Sequence, residues 1–335
     1  MRIALVGFGV LAQRYYTPAL QERKEIEVIA IADPAAAVRP HMSAAFPQAR
    51  LYSSEDELLS HENVDAVLIA TPPSAHLDTA LAVARKSIPV FVEKPLALTH
   101  QKDVLTEDRP EWRNITVNFN RRFWPHYAQA REAVRAGRLG QITSAKLTLY
   151  SNLAAWAGQS NHRLSEREGG SIHDLGCHLF DLAAFLFGQD IAEIKAKKRD
   201  VDGWTDRVDI DLSMRMGQTV TCAFGYGPVA QDRLHISGSD GAAFFRDANC
   251  RLWCDSTGAS RLLAPGRTAL QWTGDFLAIA KRAADRKTSM LRWTIAAALN
   301  DFFDRVESGT DVSAGIEQAR HVASVIDAVT DSLQH

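Results

Sequence analysis

The feature that most constrains the fold of this chain is a glycine loop near its N-terminus. The apolar run Ile3–Val6 leads directly into Gly7-Phe8-Gly9-Val10-Leu11-Ala12, a G-x-G-x-x-A pattern, and Val10–Leu20 has the pattern of a helix. The first glycine of such a loop makes a tight turn, the second lets the backbone approach a pyrophosphate, and the third small residue allows close helix–strand packing. The helix start then offers N–H groups to phosphate oxygens. The loop therefore predicts a dinucleotide-binding βαβ unit.

The rest of the first third of the chain repeats this alternation of strand and helix. Four more apolar runs follow, at Ile26–Ala32, Ala66–Ala70, Pro89–Val92 and Ile115–Phe119. They lack polar alternation, which is typical of parallel strands covered on both faces. Between two of them, Ser54-Glu55-Asp56-Glu57 has the spacing of a helix capping box. We predict an α/β, doubly wound parallel sheet over residues 1–120.

The pattern changes after residue 120. Segments with more polar alternation and polar turns predict strands of a mainly antiparallel sheet at Ile142–Leu149, Ile191–Lys197, Val208–Met214, Thr219–Phe224, Arg233–Ile236 and Ala242–Arg246. Helical patterns return at Gly274–Arg286, Leu291–Glu307 and Gly315–Leu333. We therefore predict a second, α+β domain with a large open sheet over residues 121–335.

Composition excludes several classes of function. The formal net charge is −2 and no basic tract stands out, so we expect neither a nucleic-acid nor a membrane partner. The apolar runs are too short for a signal peptide or a membrane span, which predicts a cytoplasmic protein. The four cysteines are irregularly spaced, and Cys250 and Cys254 have no second Cys or His pair at zinc-site spacing. We predict no metal, and interpret the cysteines as small buried residues.

Asp33 indicates which dinucleotide the glycine loop binds. It follows the second apolar run, 21 positions after Ala12, where an acid accepts hydrogen bonds from a ribose hydroxyl. A 2′-phosphate would be repelled by this carboxylate, and no Arg or Lys is adjacent. NAD(H) is favoured over NADP(H), unless the loop brings Arg39 back toward the site.

Two further groups carry side chains suited to proton transfer. Lys94 follows the fourth run, where ligands lie at the strand ends of such sheets, although a lysine in this place is usually a solvated charge. If the stretch from Ser171 is helical, Asp174, His178 and Asp181 share one face. An Asp–His pair suits acid–base chemistry, but an i,i+4 pair often only supports its helix. From the residues alone both interpretations stay open.

Taken together, these motifs resemble those of the Gfo/Idh/MocA family of oxidoreductases, over nearly the whole chain. The resemblance rests on the order and spacing of the glycine loop, Thr71-Pro72-Pro73-Ser74-Ala75-His76, Glu93-Lys94-Pro95, Asn118–Phe123 and the Gly-Gly-x-x-x-Asp-x-Gly-x-His-x-x-Asp run ending at Asp181. It implies a Rossmann domain followed by an open-sheet domain that commonly forms oligomers. It also implies hydride transfer between NAD(P) and a secondary alcohol or ketone of a sugar, polyol or sugar derivative.

The resemblance assigns roles to particular residues. Lys94 matches the active-site lysine, His178 the acid/base and Asp174 its carboxylate partner. The residues that it places near substrate are Asp181 and, with less support, Arg122. With the loop analysis, the predicted cofactor contacts are Gly7, Phe8, Gly9, Val10, Leu11, Ala12, Asp33, Thr71, Pro72, His76, Glu93 and Lys94.

The stretch ahead of Gly169 matches no pattern for one particular substrate. Within it, Trp156 and Arg163 are candidate substrate contacts, for a sugar face and a phosphate respectively. Because the family is functionally broad, two alternatives stay open: an NAD-dependent glycosidase of the same fold, and a non-catalytic sugar-sensing regulator. We expect a sugar-like small-molecule partner and a homodimer or homotetramer formed through the C-terminal sheet.

Overall fold

The computed structural model describes residues 1–152, 165–246, 249–254 and 290–334 of the chain. A six-stranded sheet is formed by β1 (Arg2–Val6), β2 (Glu27–Ala32), β3 (Arg50–Tyr52), β4 (Ala66–Ile69), β5 (Val90–Glu93) and β6 (Ile115–Asn118). Its strands lie in the order β3-β2-β1-β4-β5-β6 and every neighbouring pair is parallel. This order confirms the predicted doubly wound sheet; β3, a short strand, was not predicted.

Helices cover this sheet and connect its strands. They are α1 (Thr17–Gln21), α2 (Arg39–Ala45), α3 (Glu55–His61), α4 (Pro73–Ala84) and α5 (Lys102–Thr106), with 3₁₀ turns at Ala36–Val38, Thr99–Gln101 and Pro110–Asn114. One half of the predicted capping box is present at α3, where the Glu57 N–H donates to the hydroxyl of the N-cap Ser54 at 3.2 Å. The Glu57 carboxylate accepts instead from the N–H of the preceding residue, Ser53, at 2.9 Å.

The helix that follows the glycine loop is not a regular α-helix. Residues Ala12–Tyr16 form a π-helical turn that runs directly into α1. Pro18 lies at the start of α1 and has no N–H to donate to the carbonyl four residues before it, which accounts for the wider turn. The turn places Tyr16 entirely inside the protein.

The second sheet has seven strands. They are β7 (Ile142–Ser151), β8 (Ile191–Arg199), β9 (Thr205–Met214), β10 (Thr219–Tyr226), β11 (Gln231–Gly238), β12 (Gly241–Arg246) and β13 (Asn249–Cys254). Their order is β13-β12-β11-β7-β10-β9-β8, antiparallel except for the parallel pair of β7 and β10. The mainly antiparallel sheet is as predicted, but β13 was missed.

Helices α6 (Pro125–Arg135) and α7 (Cys177–Phe187) pack against this second sheet. A 3₁₀ turn at Asn120–Phe123 precedes α6, and a second π-helical turn, Ile172–Gly176, precedes α7. Gly188 ends α7 with a positive φ of 90°, a backbone conformation that glycine adopts readily. Cys177 and Cys222 are buried, in agreement with prediction.

The chain returns to the first sheet near its C-terminus. Helix α8 (Met290–Ser308) buries Phe302 and Phe303 in the same apolar cluster as Ile3 and Leu5 of β1. Helix α9 (Ile316–Gln334) packs against α7 and β8 and joins the core of the second sheet. Both helices were predicted; the helix predicted at Gly274–Arg286 lies outside the described residues.

Candidate active site

A cavity of about 500 Å³ lies where the C-terminal ends of the first sheet meet the second sheet. It receives residues from the glycine loop, from the ends of β5 and β6, from α7 and α8, and from β7 and β11. The described residues on its wall are Leu11, Glu93, Lys94, Asn118, Asn120, Arg121, Trp124, Leu149, Tyr150, Ser151, Asn152, Asp174, Leu175, His178, Ala230, Gln231, Asp232, Leu291 and Ile295. Strand C-terminal ends are the usual ligand side of a doubly wound sheet.

The glycine loop has the backbone that a dinucleotide site needs. Gly7 has a φ of +88°, and a Cβ there would lie 2.6 Å from the carbonyl oxygen of Ala70. At Gly9 a Cβ would meet no atom of the described structure within 4 Å, so this stretch of backbone is open to a ligand. The side chains of Phe8 and Ala12 are fully buried, which leaves only their backbone for cofactor contact. These observations fit a pyrophosphate at the helix start.

Asp33 is tied to the glycine loop. One of its carboxylate oxygens accepts from the N–H of Phe8 at 2.7 Å, and the other accepts from the N–H of Ala35 at 2.8 Å. Each carboxylate oxygen can accept a second hydrogen bond, so the predicted contact with a ribose hydroxyl remains possible. The geometry adds a role that the sequence did not reveal, because Asp33 also fixes the loop.

The Thr71–His76 segment contributes to the site mainly through buried contacts that hold neighbouring loops together. His76 is buried, and its two ring nitrogens lie 2.8 Å from the carbonyl oxygen of Thr71 and 2.7 Å from that of Pro95. Burial lowers its pKa, against the two carbonyl contacts. His76 therefore joins two loops, and its predicted contact with the cofactor stays a prediction. The Thr71 hydroxyl is buried without a hydrogen-bond partner in the described structure, and Pro72 lies exposed at the N-cap of α4.

A contact that sequence analysis missed joins α4 to the second domain. The Glu168 carboxylate accepts from the N–H of Ser74 at 2.9 Å and from its hydroxyl at 2.8 Å. A negative charge is favourable at a helix N-terminus. Since the two residues are 94 positions apart, no local motif marks the pair.

Glu93 is anchored before it reaches the cavity. The hydroxyl of the buried Tyr16 donates to its Oε1 at 2.6 Å, and the side-chain amide of Asn118 donates to the same atom at 2.7 Å. Burial, and then the nearby Glu93 carboxylate, raise the pKa of Tyr16 well above its ordinary value. The Asn118 Oδ1 is buried without a partner among the described residues, so it offers a ligand a hydrogen-bond acceptor beside Glu93.

Lys94 reaches across the two domains. Lys94 precedes a cis peptide bond to Pro95. Its ammonium group donates to the Asp174 carbonyl at 2.8 Å and to Asp174 Oδ1 at 3.1 Å. The other carboxylate oxygen of Asp174 accepts from the Tyr226 hydroxyl at 2.9 Å. We call Lys94, Asp174 and Tyr226 the lysine cluster. These contacts show that Asp174 orients Lys94; its predicted orientation of His178 stays a prediction.

His178 lies on the cavity wall, one turn beyond Asp174. The neighbouring Cys177 is buried, which raises the pKa of its thiol to about 12 and makes it unsuited to nucleophilic chemistry. His173 is buried as well, and its ring nitrogens lie 3.0 Å from the Gly169 carbonyl oxygen and 3.2 Å from the Thr99 hydroxyl. These contacts give His173 a structural role.

Asp181 and Arg122, which the resemblance places near substrate, bind each other in this structure. Asp181 is 1% exposed, and its carboxylate accepts from Arg122 Nε at 2.9 and 3.0 Å and from Nη2. Burial raises the pKa of Asp181, although the adjacent guanidinium opposes this shift. Each residue satisfies the other, and neither is on the cavity wall. The carboxylate of Asp181 thus lies inside the protein, whereas His178, in the same helix α7, lies on the cavity wall.

A second cluster forms the opposite part of the wall. Arg121 forms an ion pair with Asp232 and its guanidinium lies 4.8 Å from the ring centre of Trp124. The other Asp232 oxygen accepts from the hydroxyl of the buried Tyr127 at 2.7 Å. We call Arg121, Asp232 and Tyr127 the arginine cluster. Sequence analysis singled out the segment Asn118–Phe123, but assigned a role only to Arg122.

The remaining predicted contacts are outside the described residues. Trp156 and Arg163 both fall in 153–164. Among the described residues, no group of three His, Cys, Asp or Glu side chains is placed to hold a metal ion. In the same part of the chain, no helix has the length and apolar character to cross a membrane.

Comparisons with known proteins were made for both halves of the chain. Residues 1–105 match the family model described as "Oxidoreductase family, NAD-binding Rossmann fold", and residues 127–244 match the model of the GFO/IDH/MocA C-terminal domain. The rhizopine catabolism protein MocA of Rhizobium meliloti is 32% identical over 191 residues, which are 56% of this chain and 58% of that protein. Inositol 2-dehydrogenase of the same species is 26% identical over 261 residues, covering 72% of this chain and 74% of the relative.

Solved structures agree on the fold. A crystal structure of an oxidoreductase from Agrobacterium radiobacter, in complex with NAD⁺, L-tartaric acid and magnesium, superposes with a TM-score of 0.77. The match covers 100% of this chain and 96% of the other at 19% identity. The chain thus aligns with a little over half of the MocA protein by sequence, and along its whole length with this neighbour by structure.

Proposed function

The chain belongs to the Gfo/Idh/MocA family of NAD-binding oxidoreductases, and on that premise we propose that it is an NAD-dependent dehydrogenase of sugars or polyols. The proposed reaction transfers a hydride between the cofactor and a secondary alcohol or ketone of the substrate.

One observation carries this proposal: Lys94 of the first domain is bound to Asp174 of the second, beside the same cavity that His178 and Leu11 of the glycine loop line. A hydrogen-bond donor, a titratable base and the dinucleotide loop therefore share one site. Proton transfer and stabilisation of a developing alkoxide both need groups of this kind within reach of one oxygen atom.

The roles follow from the contacts. His178 takes the hydroxyl proton when the alcohol is oxidised, since an imidazole exchanges protons near neutral pH. Lys94 donates a hydrogen bond to the same oxygen and stabilises its negative charge. Asp174 holds the Lys94 ammonium in place through its carbonyl and Oδ1. When bound, NAD supplies the hydride acceptor.

The cofactor would be held along the residues that fit it. Gly7 and Gly9 allow close backbone approach, and Asp33 accepts from a ribose hydroxyl while repelling a 2′-phosphate. Arg39 begins α2, and the structure gives it no contact with Asp33. NAD(H) is therefore the expected cofactor, in preference to NADP(H).

Association through the second sheet is also part of the proposal. Phe244 of β12 is 39% exposed on that sheet, an unusual setting for a large apolar side chain. A homodimer or homotetramer would cover it. Light scattering coupled to size-exclusion chromatography measures the assembly, and a monomer at all concentrations would contradict this part.

Calorimetry and absorbance together test the function. The cofactor-free protein should bind NAD(H) more tightly than NADP(H), and the NAD⁺ complex should form NADH with members of a polyol and sugar panel. His178→Ala should reduce turnover by about 100-fold or more with NAD⁺ affinity unchanged. Wild-type turnover in that variant, or release of free sugar without NADH, would overturn the proposal.

A further inference from the structure

The charged groups of the cavity wall are unevenly balanced. Among the described residues they are two ion pairs, Lys94–Asp174 at 3.1 Å and Arg121–Asp232, together with the Glu93 carboxylate. Each cation is matched by an aspartate. The described wall thus carries one carboxylate in excess, and a second anion in the cavity would add to it.

Arg121 is the residue that would otherwise recognise an anionic substrate. A guanidinium binds carboxylates and phosphates in a two-pronged arrangement, which makes arginine their usual partner. Here the positive charge of Arg121 is compensated inside the protein. One guanidinium nitrogen of Arg121 donates to Asp232, Tyr127 fixes Asp232, and the side chains of Arg121 and Asp232 are only 13% and 11% exposed.

We propose that the cavity selects uncharged polyhydroxylated substrates over carboxylate- or phosphate-bearing ones, and that Asp232 enforces this selection by occupying Arg121. The inference rests on the proposed function and names its substrate class. It makes Asp232 a specificity-determining residue, distinct from the residues that move the proton.

The uncharged part of the wall suits such a substrate. Hydroxyl groups both donate and accept, so they can donate to the aspartates and accept from amides. The neutral polar residues available on the described wall are Asn118, Asn120, Tyr150, Ser151, Asn152 and Gln231. A carboxylate in their place would need to approach the carboxylates of the described wall, and like charges repel.

Matched sugar pairs test the inference on the wild-type protein. D-Glucose with D-glucuronate, D-galactose with D-galacturonate, and D-glucitol with D-gluconate differ at one terminal carbon, which carries the charge. In the presence of NAD⁺, the neutral member of a pair should have a kcat/KM, or a calorimetric affinity, at least about tenfold higher. Equal or better use of the acids would overturn the inference.

Variants locate the effect. Asp232→Asn releases the guanidinium of Arg121 and should reduce the preference for neutral sugars by about tenfold or more. The double variant Arg121→Gln with Asp232→Asn removes both charges, so it should keep the wild-type preference. Asp304→Asn, which removes an acid of α8 whose side chain is 69% exposed, serves as the charge control. An unchanged preference in folded Asp232→Asn would refute the role of Asp232.

The design separates two kinds of failure. If Asp232→Asn does not fold, the wild-type pairs and the double variant still decide, because loss of neutral preference in the double variant would contradict the argument. Selective binding of neutral sugars without NADH formation would support the inference and contradict the proposed function. If neither member of any pair binds, both fail.

Discussion

Two clusters with the same arrangement of groups face one cavity, and they differ in the cation that each contains. Each joins a cation, an aspartate and a buried tyrosine that donates to the second aspartate oxygen. They are the lysine cluster, Lys94–Asp174–Tyr226, and the arginine cluster, Arg121–Asp232–Tyr127. The burial of the two ion pairs is similar, so the surroundings alone do not distinguish them.

The cation and the connection decide what each cluster does. Lysine carries a compact ammonium with three donors, so Lys94 can hold Asp174 and still donate to a reacting oxygen. Arginine keeps its charge on a planar guanidinium group, and Asp232 pairs with this group in Arg121. The lysine cluster also joins residues of two domains, whereas the arginine cluster lies within the second domain. The same arrangement of groups thus supports the proposed catalysis in the lysine cluster and the proposed substrate selection in the arginine cluster.

The largest expected effect comes from removing the charges of each cluster. Lys94→Met should lower kcat by about 100- to 1000-fold, because it removes a donor to the developing alkoxide. The neutral arginine-cluster variant, Arg121→Gln with Asp232→Asn, should change mainly KM, by about tenfold. Steady-state kinetics with one neutral polyol measures both. Similar losses of kcat in the two variants would abolish the proposed distinction.

Acidic pH should lower the free energy of unfolding through a histidine next to the arginine cluster. His126 packs 3.9 Å from the ring centre of Phe245, and burial lowers its pKa to about 4. The unfolded chain takes up this proton at the ordinary pKa near 6.5, so stability is complete above that pH and falls as the pH approaches 4. Between about pH 7 and pH 5 the loss should be about 2 kcal/mol.

Urea unfolding at both pH values measures this loss. His126→Leu should remove this share of the dependence and leave the share of the other buried histidines with lowered pKa, such as His76 and His173, whereas His41→Gln, at an exposed histidine of α2, should leave it intact. The same acid dependence in His126→Leu and in the wild type would show that another group causes it.

The smallest effect should come from the two tyrosines. Tyr226→Phe loosens Asp174 and hence Lys94, so kcat should fall by about tenfold with KM nearly unchanged. Tyr127→Phe loosens Asp232 and should leave kcat within about twofold while weakening the preference for neutral sugars. A common loss of stability would change the kinetics of both variants in the same way. Separate measurements of kcat and KM therefore distinguish it from the effects expected here.

Local pattern was enough to predict most of the fold. The glycine loop, the buried strands and the alternation after residue 120 identified both sheets, since each signal lies within one segment. The short β3 and β13 carry weaker patterns and were missed. The Lys94 and His178 assignments came from motif order, and both residues lie on the cavity wall; their catalytic roles stay proposals.

Partners far apart in sequence explain what could not be predicted. Arg121 and Asp232 are 111 positions apart, and Asp174 and Tyr226 are 52 apart, so no spacing rule connects them. Asp181 shows the same limit. Its helical position was predicted from spacing, but its partner Arg122 is 59 positions away, and the carboxylate binds this guanidinium inside the protein.

The return of α8 to the first sheet has a consequence for synthesis of the protein. N-terminal domains commonly fold as they leave the ribosome. Here the apolar surface around Ile3 and Leu5 packs in one cluster with Phe302 and Phe303, which are translated much later. The nascent dinucleotide domain must therefore remain incomplete, and exposed to chaperones or to aggregation, until α8 has emerged.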